Sequence, residues 1–136
     1  MTDNLKIQLK GKLEVSILSK NDKEEIILND DNQIESGAIE ILTRCLSQLN
    51  FSKSLDVMEA IGDFGAVEKF ISIANFPAEN QIQLTCIFEE TDFNGTVTDL
   101  KMKSSSLGLV FSSKTGLSIT KDDDMRLRVR WTITIN

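Results

Sequence analysis

Residues 125–135 alternate strictly between apolar and polar side chains. The apolar set is Met125, Leu127, Val129, Trp131, Ile133 and Ile135, and the polar set is Arg126, Arg128, Arg130, Thr132 and Thr134. Because side chains of a β-strand point alternately to opposite faces, this pattern predicts a strand with one face in a core. The fold must therefore include a sheet with one apolar face.

A second long alternation predicts another strand near the N-terminus. Its apolar residues occupy odd positions: Leu5, Ile7, Leu9, Leu13, Val15 and Ile17. Gly11 fills the gap in this series, and we expect a bend or bulge there. Shorter strands are predicted at 24–28, 57–61, 67–74, 82–88, 96–102, 107–111 and 117–119. Polar or glycine-containing turns and loops separate them, at 19–23, 29–32, 62–65, 75–80, 92–95, 103–106, 112–116 and 122–124.

Residues 33–49 carry the helical pattern of the chain. Apolar residues recur there at three- and four-residue spacing, namely Ile34, Ala38, Leu42, Cys45, Leu46 and Leu49, with Ile39 and Ile41 widening the face. We expect the loop 29–32 to supply the N-cap and the helix to cover one open end or face of a sheet.

Many short strands with one amphipathic helix predict a mostly β protein, an antiparallel β-sandwich of jelly-roll type or a closed barrel. The length of 136 residues suits a single domain spanning 1–136. Within it, residues 1–18 form a candidate N-terminal strand for subunit contacts, since a strand can add to the sheet edge of a neighbour.

Composition argues against several classes of function. The chain has no histidine, which excludes Ser-His-Asp and Cys-His catalysis and histidine-ligated metals. The net charge of −6 argues against a nucleic-acid partner. One tryptophan and no tyrosine supply little surface on which bases or sugars could stack. We therefore expect a protein that is not an enzyme.

Cysteine usage and targeting signals agree with folding in the cytosol. Cys45 and Cys86 lie in apolar patterns, so we expect two reduced thiols that pack as small apolar residues. The alternative that the sequence leaves open is a disulfide between them. The N-terminus lacks the apolar segment of a signal peptide, and no apolar run approaches 18 residues. We accordingly expect no membrane association.

The three arginines of the last strand are the most distinctive charged feature. Arg126, Arg128 and Arg130 share one face, where they are candidate interface residues for an anionic ligand or an acidic subunit surface. The alternative is cross-strand pairing with carboxylates of the same sheet, such as Glu89.

Three phenylalanines in predicted loops are the apolar candidates for an interface. Phe64, Phe76 and Phe93 are either contact residues or side chains packed beneath their loops. The acidic segments 29–32 and 122–124 lack the spacing of an EF-hand and are typical of turns, so we expect no metal. Neighbouring acids at 89, 90 and 92 do not make the facing pair of a glycosidase. We expect no cofactor.

The C-terminal half resembles a group of small virion proteins of tailed bacteriophages. Three segments carry the resemblance: Asn80-Gln81-Ile82, Asp92-Phe93-Asn94-Gly95-Thr96-Val97 and Gly108-Leu109-Val110-Phe111-Ser112-Ser113. A fourth, Ile119-Thr120-Lys121, leads into the terminal strand with Trp131. The resemblance covers roughly residues 32–136, and it is strongest from Ile82 onward.

The resemblance implies a structural role in the virion and no active site. The expected protein is a tail, baseplate, fibre-attachment or other appendage component that forms homo-oligomers and docks on other virion proteins. It would be made in the bacterial host cytoplasm. The alternatives are a carbohydrate- or receptor-binding β-sandwich that contacts a host glycan, or a capsid decoration protein. Exposure of Trp131 would favour glycan binding, and its burial would disfavour that role for this residue.

Overall fold

The computed structural model of the protein describes residues 8–21, 23–46 and 55–136. Within these ranges the chain forms ten strands and one short helix: β1 (Leu9–Leu18), β2 (Glu24–Ile34), α1 (Gly37–Leu46), β3 (Val57–Gly62), β4 (Gly65–Phe70), β5 (Ile73–Asn75), β6 (Gln81–Phe88), β7 (Gly95–Ser104), β8 (Leu109–Lys114), β9 (Ile119–Lys121) and β10 (Arg126–Ile135). The predicted mostly β class is confirmed.

The strands pair antiparallel in one curled sheet that forms a half-barrel. Their order is β4-β3-β7-β8-β2-β1-β10-β6-β5, and β9 pairs with β7. The two strongest sequence patterns lie side by side near the middle, with Leu13 opposite Trp131 and Val15 opposite Val129. The predicted alternation of β10 is confirmed, because Leu127, Val129, Trp131 and Ile133 are all buried.

The bulge lies away from the predicted position at Gly11. β1 pairs with β10 in unbroken register, whereas its pairing with β2 shifts between Val15 and Ser16, which leaves Ile27 as the extra residue. Gly11 serves a different purpose. A Cβ atom there would lie 2.2 Å from Oδ1 of Asn32, so glycine allows the neighbouring side chain to approach closely.

The predicted loop 29–32 is part of β2, and the helix consequently begins later. Residues 29–32 pair with Gly11, Lys12, Leu13 and Glu14, so the strand continues to Ile34. Asn29, Asp30 and Asp31 are exposed within this strand, so their polar character reflects exposure and does not mark a turn. The helix starts at Gly37, so this segment does not cap it.

The inner face of the helix agrees with the predicted pattern in part. Ala38 and Ile41 are buried, whereas Ile39, predicted to widen this face, is 65% exposed, and Ile34 belongs to β2. Leu49, like Leu5 and Ile7 of the first alternation, lies outside the described residues, and so does the side chain of Leu46. No helix in the described part of the chain is long and apolar enough to cross a bilayer.

The curling of the sheet brings its two ends together. β2 pairs with β1 along most of its length, and then Gln33 and Ile34 pair with β8. At the opposite side, Sγ of Cys86 in β6 lies 3.9 Å from the carbonyl oxygen of Lys69 in β4. One core cluster of buried residues therefore receives side chains from both halves of the sheet.

The predicted strand 67–74 is two strands, because the chain crosses from one end of the sheet to the other. β4 ends at Phe70 and β5 begins at Ile73. Between them, the N–H of Ile71 donates to Asp56 O at 2.8 Å and the N–H of Ser72 donates to Thr85 O at 2.9 Å. Similarly, the predicted turn at 112–116 begins later, since β8 continues to Lys114.

β1 has a partner strand on each edge, β10 on one side and β2 on the other. Residues 9–18 of the predicted subunit-contact strand are therefore already used inside the sheet. Most of the remainder, residues 1–7, lies outside the described residues.

Candidate interaction surface

The three arginines lie on the outer face of β10, and each faces a carboxylate of the same chain. Arg130 Nη1 lies 3.5 Å from Glu14 Oε1, and Arg126 Nε lies 3.8 Å from Glu90 Oε1. Arg128 pairs with Glu24. Pairing with carboxylates of the same chain is thus present, although the partners are Glu14, Glu24 and Glu90, not the predicted Glu89. Of the three, Glu14 lies directly opposite its arginine across a strand pair, whereas Glu24 is on β2 and Glu90 is in the turn after β6.

These ion pairs leave the face close to neutral. Burial, followed by repulsion from Arg130, lowers the pKa of Arg128 from its ordinary value, while Glu14 raises it. An anionic ligand would have to compete with a carboxylate already beside each arginine. The arrangement therefore favours the sheet-pairing interpretation over an anion site.

Toward the C-terminal end of β10, the same face carries polar side chains that pair between β10 and β6. Gln83 Nε2 donates to Thr132 Oγ1 at 3.2 Å, and Gln81 Nε2 donates to Thr134 Oγ1 at 3.1 Å. Both amides therefore find acceptors on the adjacent strand. This is the pattern of a solvated sheet face.

Phe64 and Phe93 pack beneath the turns and are not exposed contact residues. Their rings stack with centroids 4.2 Å apart, and Phe88 meets Phe93 edge-on at 5.4 Å. Phe93 is only 7% exposed, and Phe64 is half-buried. Of the two interpretations of these loop phenylalanines, packing beneath the loop is the one that holds for this pair.

The structural role of Lys121 was not predicted from the sequence, although this residue belongs to the motif Ile119-Thr120-Lys121. The side chain is fully buried, and its Nζ donates to the carbonyl oxygens of Phe93 (2.7 Å), Glu90 (3.0 Å) and Asp122 (3.2 Å). Burial lowers the pKa of Lys121, against the opposing effect of nearby carboxylates such as Asp92. All three ammonium donors have acceptors, so this lysine ties two turns together.

Asp92 strengthens the same region. Its Oδ2 accepts from Lys69 Nζ and from the N–H of Glu89, both at 2.7 Å. Burial acts to raise the pKa of Asp92, but these hydrogen bonds outweigh it and the pKa lies below its ordinary value. The carboxylate is thus engaged in holding its turn, and it does not form an acid pair with Glu89 or Glu90.

The acidic run at 122–124 also forms a turn. Its three carboxylates lie within 4.8 Å of one another and are exposed. Oδ1 of Asp122 accepts from the N–H of Asp124, and Asp124 pairs with Lys20 at 3.0 Å. Local hydrogen bonding and an ion pair therefore account for this cluster.

Cys86 is a buried free thiol, and Cys45 is half-buried. Burial raises the pKa of Cys86 to about 12, so this thiol is protonated at neutral pH. The reduced state expected from the sequence agrees with this environment.

Phe76 differs from the other two loop phenylalanines because it is 75% exposed. Phe70, at the end of β4, is 72% exposed, and Ile73, at the start of β5, is 47% exposed. We call these three residues the apolar edge. They occur within seven residues of chain at the two ends of the strand order.

Backbone hydrogen bonds hold the connection between β4 and β5, on which the apolar edge lies. The hydrogen bonds of Ile71 and Ser72 hold the connection, and Ile71 itself packs against the core. The sequence predicts Phe76 as a candidate contact residue but not Phe70 or Ile73, because residues 67–74 read as one strand whose facing the sequence leaves open. No local signal marks Phe70 and Ile73, since the alternation of exposure along β4 does not follow the polarity of its residues.

Trp131 is fully buried in the core. It therefore offers no ring on which a sugar could stack.

Comparisons with known protein families, with curated proteins and with solved structures found no match to this chain.

Proposed function

We propose that this protein is a non-enzymatic structural component of a bacteriophage particle, in a tail, baseplate, fibre-attachment or other appendage. It acts by self-assembly and by docking on other virion proteins, and it reaches the virion after synthesis in the host cytoplasm. The observation that carries the proposal is the apolar edge, a set of large exposed side chains on β4, on β5 and in the loop that follows β5. The motif resemblance in the C-terminal half supplies the type of assembly.

The apolar edge has the properties of a docking surface. Phe70, Ile73 and Phe76 expose large apolar area, and aromatic side chains are enriched in the buried centres of protein interfaces. β5 also lies at one end of the strand order, where backbone groups can accept a further strand. A virion protein that stays permanently assembled would bury such a surface against its neighbour.

The motifs that carry the resemblance have structural tasks in this chain. Phe93 forms the centre of an aromatic cluster, and Lys121 binds the carbonyl oxygens of the adjoining turns. Gly95 adopts φ +140, and a Cβ atom there would lie 2.2 Å from Asp63 Oδ1. Motifs of this kind suit a scaffold that presents surfaces, since none of them provides a reactive group.

For the architecture, we propose that the two halves of the curled sheet form a β-sandwich of jelly-roll type. The shared core cluster and the approach of Cys86 to Lys69 support this description. The capsid decoration and glycan-binding alternatives gain no support from the described residues, and the burial of Trp131 speaks against a glycan site at that residue.

Mass spectrometry of purified particles from the phage or prophage that encodes this chain tests the proposal. We expect the chain in intact particles at a fixed ratio to other virion proteins. Its absence from particles whose other structural proteins are detected would overturn the proposal.

A binding experiment tests the role of the apolar edge. The chain is mixed with each virion protein encoded by a neighbouring reading frame, and complex formation is followed by light scattering. Phe76→Ser should abolish the complex, whereas Ile39→Ser, which removes another large exposed residue, on α1, should not. Equal binding by both variants would exclude the apolar edge as the docking surface.

A further inference from the structure

The first half of β2 has an open edge. Residues 24–32 pair with β1 on one side, whereas β8 pairs only with Gln33 and Ile34. In the described ranges no strand pairs with the other edge of residues 24–29. Ile26 and Ile27 are 55% and 36% exposed along it. Unprotected edges of this kind accept further strands.

The bulge at Ile27 changes which residues of β2 share a face. Leu28 lies opposite Val15, which points into the core, and Ile26 lies opposite Ser16, whose side chain points to the other face. Leu28 and Ile26 therefore point to opposite faces although they are two positions apart. In a regular strand, residues two apart share a face.

This reversal makes the edge complementary to itself. Two antiparallel copies of a strand are related by a two-fold axis perpendicular to the sheet, and residues opposite one another must lie on the same face. An axis between Ile26 and Ile27 places Glu24 opposite the partner's Asn29 and Glu25 opposite the partner's Leu28.

The register with β1 shows that these pairs match. Glu24 and Asn29 both lie on the outer face, opposite Leu18 and Glu14. Glu25 and Leu28 both lie on the inner face, opposite Ile17 and Val15. Without the extra residue, positions separated by an odd number would fall on opposite faces, and this pairing would fail.

Charge also selects this register. One position further out, Asp30, whose Oδ2 also accepts from Lys114 Nζ at 2.7 Å within its own chain, lies opposite the partner's Lys23, and opposite charges across a strand pair are stabilising. Moving the register by one residue in one direction would set Glu24 against the partner's Asp30, which is destabilising. Moving it in the other direction would set Lys23 against the partner's Asn29, which loses the pair of opposite charges. In the favoured register, Glu24 and Glu25 each face an uncharged residue.

We propose that two copies of this chain associate through β2, antiparallel, about a two-fold axis between Ile26 and Ile27. The inference deepens the proposed function, on which it rests for the premise that copies of this chain associate. It names the surface and the register of that association.

Cysteine cross-linking tests the register in the full chain, with Cys45→Ser as background. The pair Glu24→Cys and Asn29→Cys should form a covalent dimer on mild oxidation, because these positions face one another. The matched pair Glu25→Cys and Asn29→Cys should stay monomeric on a denaturing gel, because these positions lie on opposite faces. Equal cross-linking of both pairs, or none in the first, would overturn the register.

Light scattering at high protein concentration tests the surface. The unmodified chain should have twice the chain mass, Ile26→Lys should have the mass of one chain, and Ile39→Lys on α1 should remain dimeric. Circular dichroism checks that each variant is folded. A monomeric unmodified chain, or a dimeric Ile26→Lys variant, would overturn the inference.

The mass-spectrometry experiment on particles and the experiments on the β2 dimer can fail separately. A monomeric chain found in particles would leave the proposed function standing and remove the β2 dimer. A chain that forms the β2 dimer but is absent from particles would remove the proposed function and leave the dimer standing.

Discussion

Phe93 and Phe76 occur in two loops that look alike in sequence, yet they lie in opposite environments. Phe93 belongs to what we call the turn end, where the turns at 62–65, 89–95 and 121–125 meet around Lys121. Its ring is covered by Phe64 and Phe88, and its carbonyl oxygen accepts from Lys121. Phe76 lies on the apolar edge and is mostly exposed. The difference teaches that a loop phenylalanine is a stability residue or a contact residue according to which other turns reach it.

The largest effect should come from removing the ring at the centre of the turn end. Phe93→Ala should lower the free energy of unfolding by about 3–5 kcal/mol, because it leaves a cavity among buried side chains. Chemical denaturation followed by circular dichroism measures this loss. Phe76→Ala is the matched control, and equal losses in the two variants would erase the contrast between the two regions.

Removing the buried ammonium group should have the next largest effect. Lys121→Met should destabilise the fold by about 1–3 kcal/mol, since the carbonyl oxygens of Phe93, Glu90 and Asp122 lose their shared donor. Lys20→Met, at the exposed ion pair with Asp124, should change stability much less, because exposed ion pairs contribute little. Thermal unfolding of both variants at one pH compares them, and a smaller loss at Lys121 would contradict the role of this lysine.

The turn end should also respond to acid through Asp92. Its pKa is lower in the folded protein than its ordinary value, so its charged form stabilises the fold above that ordinary value. This contribution should disappear as the pH falls through the folded pKa. Asp92→Asn should therefore be less stable than the unmodified chain by about 1–3 kcal/mol at pH 7. Urea denaturation between neutral and strongly acidic pH should show the difference shrinking, and a constant difference would contradict this assignment.

The smallest effect on stability should come from the apolar edge. The double variant Phe70→Ser and Phe76→Ser should shift the free energy of unfolding by less than about 0.5 kcal/mol for each change, because exposed side chains contribute little packing. Denaturant midpoints measure the shift. A loss as large as that of Phe93→Ala would show that the edge is part of the core.

Strands with one buried face could be predicted from sequence, whereas their limits and partners could not. The alternation of β10 predicted its buried side chains, because period two is a local property of a strand. The polar segment 29–32 was wrongly predicted as a loop, because its mostly exposed side chains carry little apolar signal and its pairing is with residues 11–14, which are distant in sequence. The strand 67–74 was wrongly predicted as continuous, because its break is set by hydrogen bonds from the N–H groups of Ile71 and Ser72 to the carbonyl oxygens of Asp56 and Thr85, both distant in sequence.

The candidate surface was predicted in part for the same reason. The sequence predicted Phe76 as a candidate interface residue, but it did not predict Phe70, Ile73 or the role of Lys121. Exposure at the apolar edge depends on where the two ends of the sheet meet, and no local pattern records that.

The sequence by itself determined that this chain forms a sheet with one apolar face and that it lacks the residues of histidine-based catalysis. Both conclusions follow from side-chain chemistry and its local period. The tertiary structure alone decided which arginine meets which carboxylate, which phenylalanine is buried, and that the extra residue at Ile27 re-faces β2. These three features depend on strand order and register, which are set by pairing between residues distant in the sequence and not by neighbouring residues.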